Sequence, residues 1–67
     1  MAPIKRLAMK LRTLRRDRFM TQEDLADKAG VTREYIARLE AGRYDPSLST
    51  LEKLAKALKV DIAKLLK

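Results

Sequence analysis

A signal that ends a helix and a signal that starts one lie only two residues apart in the middle of this chain. Gly30 can adopt the left-handed backbone conformation in which helices often end, and Thr32 carries a hydroxyl that can cap the next helix. Val31, just before that cap, has the spacing to pack against Ile36 as a hydrophobic staple. The sequence therefore predicts two helices joined by a tight turn, the first of them ending near Ala29.

Capping residues at the outer ends set the length of these two helices. Thr21 is predicted to cap the earlier helix, because Asp24 three residues later can reach back to the Thr21 backbone N–H. The later helix is predicted to cover residues 32–41, since Gly42 again permits the conformation that ends a helix. The side chains predicted to meet across the turn as core are Leu25, Ala26, Ile36 and Leu39.

In the flanking segments, apolar residues also recur at helical rather than strand spacing. Apolar residues recur every three or four positions over residues 4–17, which predicts an amphipathic helix near the start of the chain. Ser49 and Glu52 form a capping-box pattern for a helix over residues 50–58. A last short helix is predicted to begin after Asp61 and to close the chain. Five helices are predicted in all, because no segment alternates between apolar and polar residues as a strand does.

The length of the chain limits how it can be stabilised. A chain of 67 residues holds one domain, predicted to cover residues 1–67, and such a domain buries roughly 60% of the surface that its unfolded form exposes. The sequence has no cysteine and no histidine, which excludes disulfides and zinc sites built from these residues. The prediction is an all-α fold without a cofactor or metal.

Charge narrows the partners that such a domain can bind. The chain has 16 Lys and Arg against 9 Asp and Glu, and its net charge of +7 favours polyanions such as nucleic acid or an anionic membrane surface. Much of the excess lies near the start, where only Asp17 opposes it. The basic residues of this stretch are Lys5, Arg6, Lys10, Arg12, Arg15, Arg16 and Arg18. An ordinary solvated helix face would explain the same run without any partner.

The two helices and their turn resemble a known DNA-binding family. The stretch TQEDLADKAGVTREYIARLEAG, residues 21–42, is similar to the helix-turn-helix of the phage repressor and Cro (Xre-type) family. Residues 11–15 before it and residues 46–60 after it also match the family pattern, so the resemblance covers nearly the whole chain. It implies a compact five-helix, lambda-repressor-like domain in which helices two and three form the helix-turn-helix.

The exposed face of the third helix carries the side chains suited to reading bases. With Ile36 and Leu39 turned toward the core, helical geometry directs the intervening positions outward. Arginine can bond guanine O6 and N7 in bidentate fashion, and glutamate can accept a hydrogen bond from cytosine N4. The residues predicted to contact bases are Arg33, Glu34, Ala37 and Arg38. Arg33 and Glu34 also suit an exposed first turn that has no such role.

A second set of residues is predicted to contact the phosphate backbone. Gln22 stands at the start of the second helix, where its amide and the free backbone N–H groups can bind a phosphate, as the matching family residue does. A helix-start glutamine without such a role is the alternative. Further phosphate contacts are predicted for Lys28, Tyr35, Arg43 and Tyr44. The resemblance also implies an ion pair between Arg15 and Glu40 that supports the scaffold.

Three positions depart from the family pattern. Phe19 and Lys59 occupy places where related sequences often have glycine, one before the second helix and one at the end of the fourth. Ala41 stands where an asparagine is common, so a polar contact to the DNA backbone is predicted to be missing. At Lys59 this predicts a less favourable end of the fourth helix, because side chains disfavour the backbone conformation that glycine adopts there.

These features together predict a sequence-specific transcriptional regulator that binds double-stranded DNA. The family places two recognition helices in successive major grooves, which implies a homodimer on a palindromic operator. Helix five is the expected dimer contact, although its apolar residues Ile62, Leu65 and Leu66 would equally close the core of the monomer. Such a protein is expected in the cytoplasm, at the nucleoid.

Other function classes explain less of the sequence. An antitoxin-type module would use the same fold to bind a protein partner as well as DNA. A membrane-surface binder would use the basic first helix, but it leaves the helix-turn-helix unexplained, and no membrane contact is predicted. Asp24 and Asp27 share a helical face as paired catalytic acids would, yet acidic residues in a first turn are expected from the helix dipole. No enzymatic activity is predicted.

Overall fold

Five helices make up the described part of the chain. The computed structural model describes the backbone of residues 3–66 and the side chains of residues 4–66. The helices, in chain order, are α1 (Pro3–Asp17), α2 (Gln22–Ala29), α3 (Arg33–Glu40), α4 (Leu48–Leu58) and α5 (Ala63–Leu66). The predicted all-α, five-helix fold is confirmed.

The caps predicted around α2 are formed as the sequence indicated. The Thr21 hydroxyl accepts a hydrogen bond from the Asp24 backbone N–H at 3.0 Å, and an Asp24 carboxylate oxygen accepts one from the Thr21 backbone N–H at 2.9 Å. At the other end Gly30 is left-handed, with φ 72° and ψ 33°, and the Val31 N–H bonds back to the Ala26 carbonyl at 3.0 Å. These reciprocal bonds satisfy backbone groups that have no partner within the helix.

α3 begins after a single extended residue. The Thr32 hydroxyl accepts from the Tyr35 backbone N–H at 3.1 Å, which is the predicted cap. The helix ends at Glu40, one residue before the predicted boundary, with Ala41 as its C-cap. Gly42 follows in a left-handed conformation. The end of α2 and the start of α3 therefore lie where the sequence predicted them.

One core joins the helices. Leu11 of α1, Leu25 of α2, Ile36 of α3, and Leu54 and Leu58 of α4 are fully buried. α2 packs against α3 and α4, while α1 packs against α3 and α5. The residues predicted to meet across the turn are all buried, and these are Leu25, Ala26, Ile36 and Leu39. Packing against α1 and α2 thus fixes α3, and the side chains outside these contacts stay exposed.

The predicted start of α4 was wrong. The helix begins at Leu48 rather than at residue 50, and Ser47, not Ser49, is its cap, accepting from the Thr50 backbone N–H at 3.2 Å. Ser47 lies two residues before Ser49, so the helix that it caps is two residues longer. The longer helix wins because each added residue contributes a backbone hydrogen bond, such as that from Leu51 N–H to the Ser47 carbonyl at 3.0 Å.

The last of the described residues, Ala63–Leu66, form a single turn of helix. An Asp61 carboxylate oxygen accepts from the Ala63 backbone N–H at 3.0 Å, as expected of the cap. Leu65 lies in the core at 3% exposure, Ile62 is half-buried, and Leu66 is 58% exposed. Of the three apolar residues assigned to helix five, two therefore close the core and one faces outward.

Candidate nucleic-acid interface

The open face of α3 carries the four side chains predicted to contact bases. Arg33, Glu34 and Arg38 are exposed, whereas Ala37 is half-buried. The opposite face is anchored, because Ile36 and Leu39 are at most 2% exposed. The polar side chains of this face therefore project from a helix whose position is set by the core, as base reading requires.

Arg38 is not freely extended in solvent. Its Nη1 donates a hydrogen bond to the Tyr44 hydroxyl at 2.8 Å, and its guanidinium carbon lies 5.7 Å from the centre of the Tyr44 ring. The Tyr44 ring in turn lies 5.3 Å from that of Tyr35, with 34° between the ring planes. Tyr35 is half-buried against the core. The structure thus joins one predicted base reader to two residues predicted as phosphate contacts.

A second cluster converges on Glu40 at the end of α3. Arg15 of α1 bonds the Glu40 carboxylate in bidentate fashion, from Nε at 2.6 Å and from Nη2 at 2.9 Å. The Gln22 amide, at the start of α2, donates to the same carboxylate at 3.2 Å. This cluster therefore ties α1, α2 and α3 together at one point.

The ion pair in this cluster is buried. Arg15 is 8% and Glu40 is 5% exposed, and the hydrogen bonds that Arg15 donates to the Glu40 carboxylate hold the pKa of the Arg15 guanidinium above its ordinary value. Arg15 also donates from Nη1 to the Met20 carbonyl at 2.7 Å. Because a buried charge left without its partner costs several kcal/mol, both residues are scaffold rather than available phosphate contacts.

Gln22 keeps a donor for an outside acceptor even though it bonds Glu40. A side-chain amide nitrogen carries two hydrogens, and the bond to Glu40 uses one of them. The hydrogen bond also fixes the orientation of the amide, because it is the Gln22 nitrogen and not the oxygen that faces Glu40 of α3. The residue is half-buried at the first position of α2, next to backbone N–H groups that the helix does not use.

Arg43 and Lys28, the remaining predicted phosphate contacts, occupy different surroundings. Arg43 is exposed just after α3, and its backbone N–H bonds the Arg38 carbonyl at 3.0 Å, which fixes its place beside the end of the helix. Lys28 is exposed on α2, where it borders a shallow depression. The other residues around that depression are Arg18, Phe19, Met20, Asp24 and Asp27, none of which belongs to α3.

Arg12 is a member of the Glu40 cluster that the sequence analysis did not single out. Its Nη2 donates to the Glu40 backbone carbonyl at 3.1 Å, its Nε lies 3.9 Å from the carboxylate, and its side chain is 47% exposed. The signal was present, because Arg12 stands three residues before Arg15 and so shares its face of α1. The pairing of Arg38 with Tyr44 carried no comparable signal, since it depends on the path of the loop after α3.

Comparison with known proteins agrees with this architecture. A family model described as Helix-turn-helix (HTH_3) matches residues 11–65. The immunity repressor protein of Bacillus phage phi105 is 42% identical over 57 residues, which cover 85% of this chain and 40% of that protein. An HTH-type transcriptional regulator of Methanothermobacter thermautotrophicus is 48% identical over 48 residues, which cover 72% of this chain and 70% of the relative. The chain thus spans less than half the length of the phage repressor.

Solved structures are similar over almost the whole chain. The restriction-modification controller protein C.AhdI from Aeromonas hydrophila matches with a TM-score of 0.93 and 34% identity, covering 97% of this chain and 98% of that one. The clp gene regulator ClgR from Corynebacterium glutamicum matches with a TM-score of 0.92 and 30% identity, covering 98% and 86%.

The chain belongs to the helix-turn-helix (HTH_3) family, the Xre or Cro/C1 type that the sequence resembles. The phage repressor and the transcriptional regulators among its relatives mark this as a family of DNA-binding regulators. Within residues 3–66, every helix is too short or too polar to cross a membrane.

Proposed function

We propose that this chain reads a specific DNA sequence by placing α3 in the major groove. The observation that carries the proposal is the two-sided character of α3, with Ile36 and Leu39 in the core and Arg33, Glu34 and Arg38 exposed on the other side. The major groove is wide enough for one helix, and arginine and glutamate are side chains that distinguish base pairs there. Ala37, half-buried on the same face, is small enough to let the helix come close to the bases in this arrangement.

Phosphate contacts around α3 would hold the helix in register. Gln22 lies at the Glu40 end and offers an amide hydrogen together with the free N–H groups of the first turn of α2. Arg43 follows the same end of the helix, and Tyr35 within α3 pairs with Tyr44 in the loop after it. Lys28 would add a longer-range attraction from α2. Such contacts position a protein on DNA without reading the sequence.

We propose that two copies bind one operator. A single α3 of eight residues reaches only a few base pairs, and two-fold related copies reach major grooves about 34 Å apart. Leu66 is 58% exposed at the end of α5, so it offers an apolar contact between copies, while Leu65 is committed to the core. A palindromic operator follows from this symmetry.

The proposal is a binding function without catalysis. Asp24, the acidic residue that could suggest acid–base chemistry, is used as the cap of α2, where its carboxylate accepts from the Thr21 backbone N–H. A protein that binds operator DNA acts where the DNA is, which places it in the cytoplasm at the nucleoid. A protein partner of the antitoxin type is the alternative that the same fold also allows.

Selection of bound duplexes from a random pool tests the proposal. We expect a short consensus with two inverted half-sites about one helical turn apart, because two copies of α3 would each read one half. Selected duplexes that share no sequence motif would contradict base reading, because charge attraction alone retains every duplex equally. A consensus without inverted symmetry would retain base reading and contradict the dimer.

A further inference from the structure

One edge of the Arg38 guanidinium is already occupied in the protein. Arginine presents two pairs of parallel donors, the Nη1–Nη2 end and the Nε–Nη2 side. The hydrogen bond from Nη1 to the Tyr44 hydroxyl, 2.8 Å long, uses one donor of Nη1 and none of the Nε–Nη2 side. Arg15 bonds the Glu40 carboxylate through the corresponding Nε–Nη2 side, which shows how that side can bind a pair of acceptors.

The contact that holds Arg38 is itself anchored. Tyr44 lies in the loop after α3, but its ring packs at 5.3 Å against the ring of Tyr35, and Tyr35 packs against the core. The guanidinium carbon lies 5.7 Å from the centre of the Tyr44 ring, close enough for a cation–π contact in addition to the hydrogen bond. A continuous set of contacts thus runs from the core through two tyrosines to the exposed arginine.

We propose that Tyr44 is a positioning residue that turns the Nε–Nη2 side of Arg38 toward a guanine, and so sets part of the sequence preference. This inference rests on the proposed function, since it needs Arg38 to read a base. Guanine offers N7 and O6 as two neighbouring acceptors, which match two parallel N–H donors. A side chain already held in the bonding geometry loses less conformational freedom on binding than a free one.

The Tyr44 hydroxyl can serve the backbone at the same time. A phenol oxygen accepts a hydrogen bond while its own hydrogen donates another. When Arg38 donates to the Tyr44 oxygen, the hydroxyl hydrogen is free to bond a phosphate oxygen. The same hydroxyl would then connect base reading by Arg38 with a phosphate contact. A residue that only contacts phosphates would behave differently, because its loss would lower affinity for every duplex without changing the preferred base.

The first experiment compares two tyrosine-to-phenylalanine variants by duplex selection. Tyr44→Phe removes the hydroxyl that Arg38 uses and keeps the ring, while Tyr35→Phe removes the hydroxyl of the neighbouring ring. We expect Tyr44→Phe to lose about two- to tenfold of the discrimination at one base pair, the same pair that Arg38→Ala affects. Tyr35→Phe is expected to act on preferred and random duplexes alike. Combining Tyr44→Phe with Arg38→Ala should then cause no further loss of discrimination than Arg38→Ala alone.

The second experiment needs no DNA. Nitrogen-15 relaxation of the Arg38 Nε–H reports how restricted the guanidinium is in the free protein. We expect Tyr44→Phe to lower its order parameter and Tyr35→Phe to leave it unchanged, with melting curves confirming that both variants fold.

The outcomes separate the two claims. If the wild type selects a consensus and Arg38→Ala alters one base pair, but Tyr44→Phe keeps that preference, the positioning role is refuted and base reading stands. Equal Arg38 mobility in wild type and Tyr44→Phe refutes it independently. If the wild type selects no consensus, the proposed function fails, and the role of Tyr44 in base preference fails with it.

Discussion

Lys59 and Phe19 have left-handed backbone conformations although both carry side chains. Their φ angles are 57° and 55°, and Lys59 caps α4 through its backbone N–H, which bonds the Ala55 and Lys56 carbonyls. The resemblance to related sequences indicated both positions, since glycine is common at each. An L-residue in this region is disfavoured by roughly 1–2 kcal/mol, because Cβ approaches the carbonyl oxygen. The fold tolerates the strain, because the cap hydrogen bonds depend on the backbone and not on the side chain.

Replacing Lys59 by glycine should therefore stabilise the protein. We expect Lys59→Gly to raise the free energy of unfolding by about 0.5–1 kcal/mol, less than the full strain because glycine also gains freedom in the unfolded chain. Chemical denaturation gives this value. Lys59→Ala is the matched control, because it removes the same charge and keeps the strained Cβ. A Lys59→Gly variant no more stable than Lys59→Ala would contradict the account.

The Arg15–Glu40 pair makes a second prediction about single residues. Glu40→Ala leaves the Arg15 guanidinium buried without its anion, which should cost about 3–5 kcal/mol in the free energy of unfolding. The double change Arg15→Met with Glu40→Leu removes both charges and should be less destabilising than Glu40→Ala alone. Arg12→Ala serves as the control, with an expected loss below about 1 kcal/mol because its side chain is half exposed. Equal destabilisation by the single and double changes would contradict a buried, coupled pair.

At the scale of the helices, the cap of α2 makes the stability of the fold depend on pH. The hydrogen bond from the Thr21 backbone N–H, followed by that from the Thr21 side chain, holds the pKa of Asp24 below its ordinary value. A depressed carboxylate pKa stabilises the folded state above the unfolded pKa of about 3.9, and this stabilisation is lost as pH falls through the folded pKa. We expect Asp24→Asn to melt at a lower temperature than wild type at neutral pH, with the difference shrinking below about pH 4. Thermal melts at several pH values test this, and a difference that is constant with pH would contradict the role of the charge.

The elements show which parts of the fold can be predicted from sequence. The ends of α2 and the start of α3 were predicted because caps such as Thr21, Asp24 and Thr32 act within three residues of the chain. The start of α4 was mispredicted because two serines offered caps, and the helix begins after the earlier one, which adds backbone hydrogen bonds. Local patterns decide between helix and loop, but they do not decide between two competing caps.

The site was less predictable than the fold for a similar reason. Helical periodicity placed Arg33, Glu34 and Arg38 on the open face of α3, where the structure also has them. The bond between Gln22 and Glu40 joins residues 18 positions apart, and the bond between Arg38 and Tyr44 needs the course of a loop. Such contacts follow from the tertiary fold and have no local sequence signature.

For the whole molecule, charge and the open face of α3 act together. The net charge of +7 attracts any duplex, and the resulting affinity falls as salt rises because bound cations are released from the phosphates. In the proposed arrangement, discrimination between sequences comes from the side chains of α3 that would reach base edges. Affinities for different duplexes are therefore comparable only at one salt concentration.

The most direct test of base reading measures the affinity of Arg38 variants for a preferred and a random duplex at fixed salt. We expect Arg38→Ala to lose about 1–3 kcal/mol on the preferred site, and Arg38→Lys to keep most affinity for random DNA while losing discrimination, because lysine has no planar pair of donors. Gln22→Ala and Arg43→Ala are the controls, expected to weaken both duplexes by similar factors. If Arg38→Ala and Arg38→Lys also weakened both duplexes by similar factors, the claim that α3 reads bases through Arg38 would be contradicted.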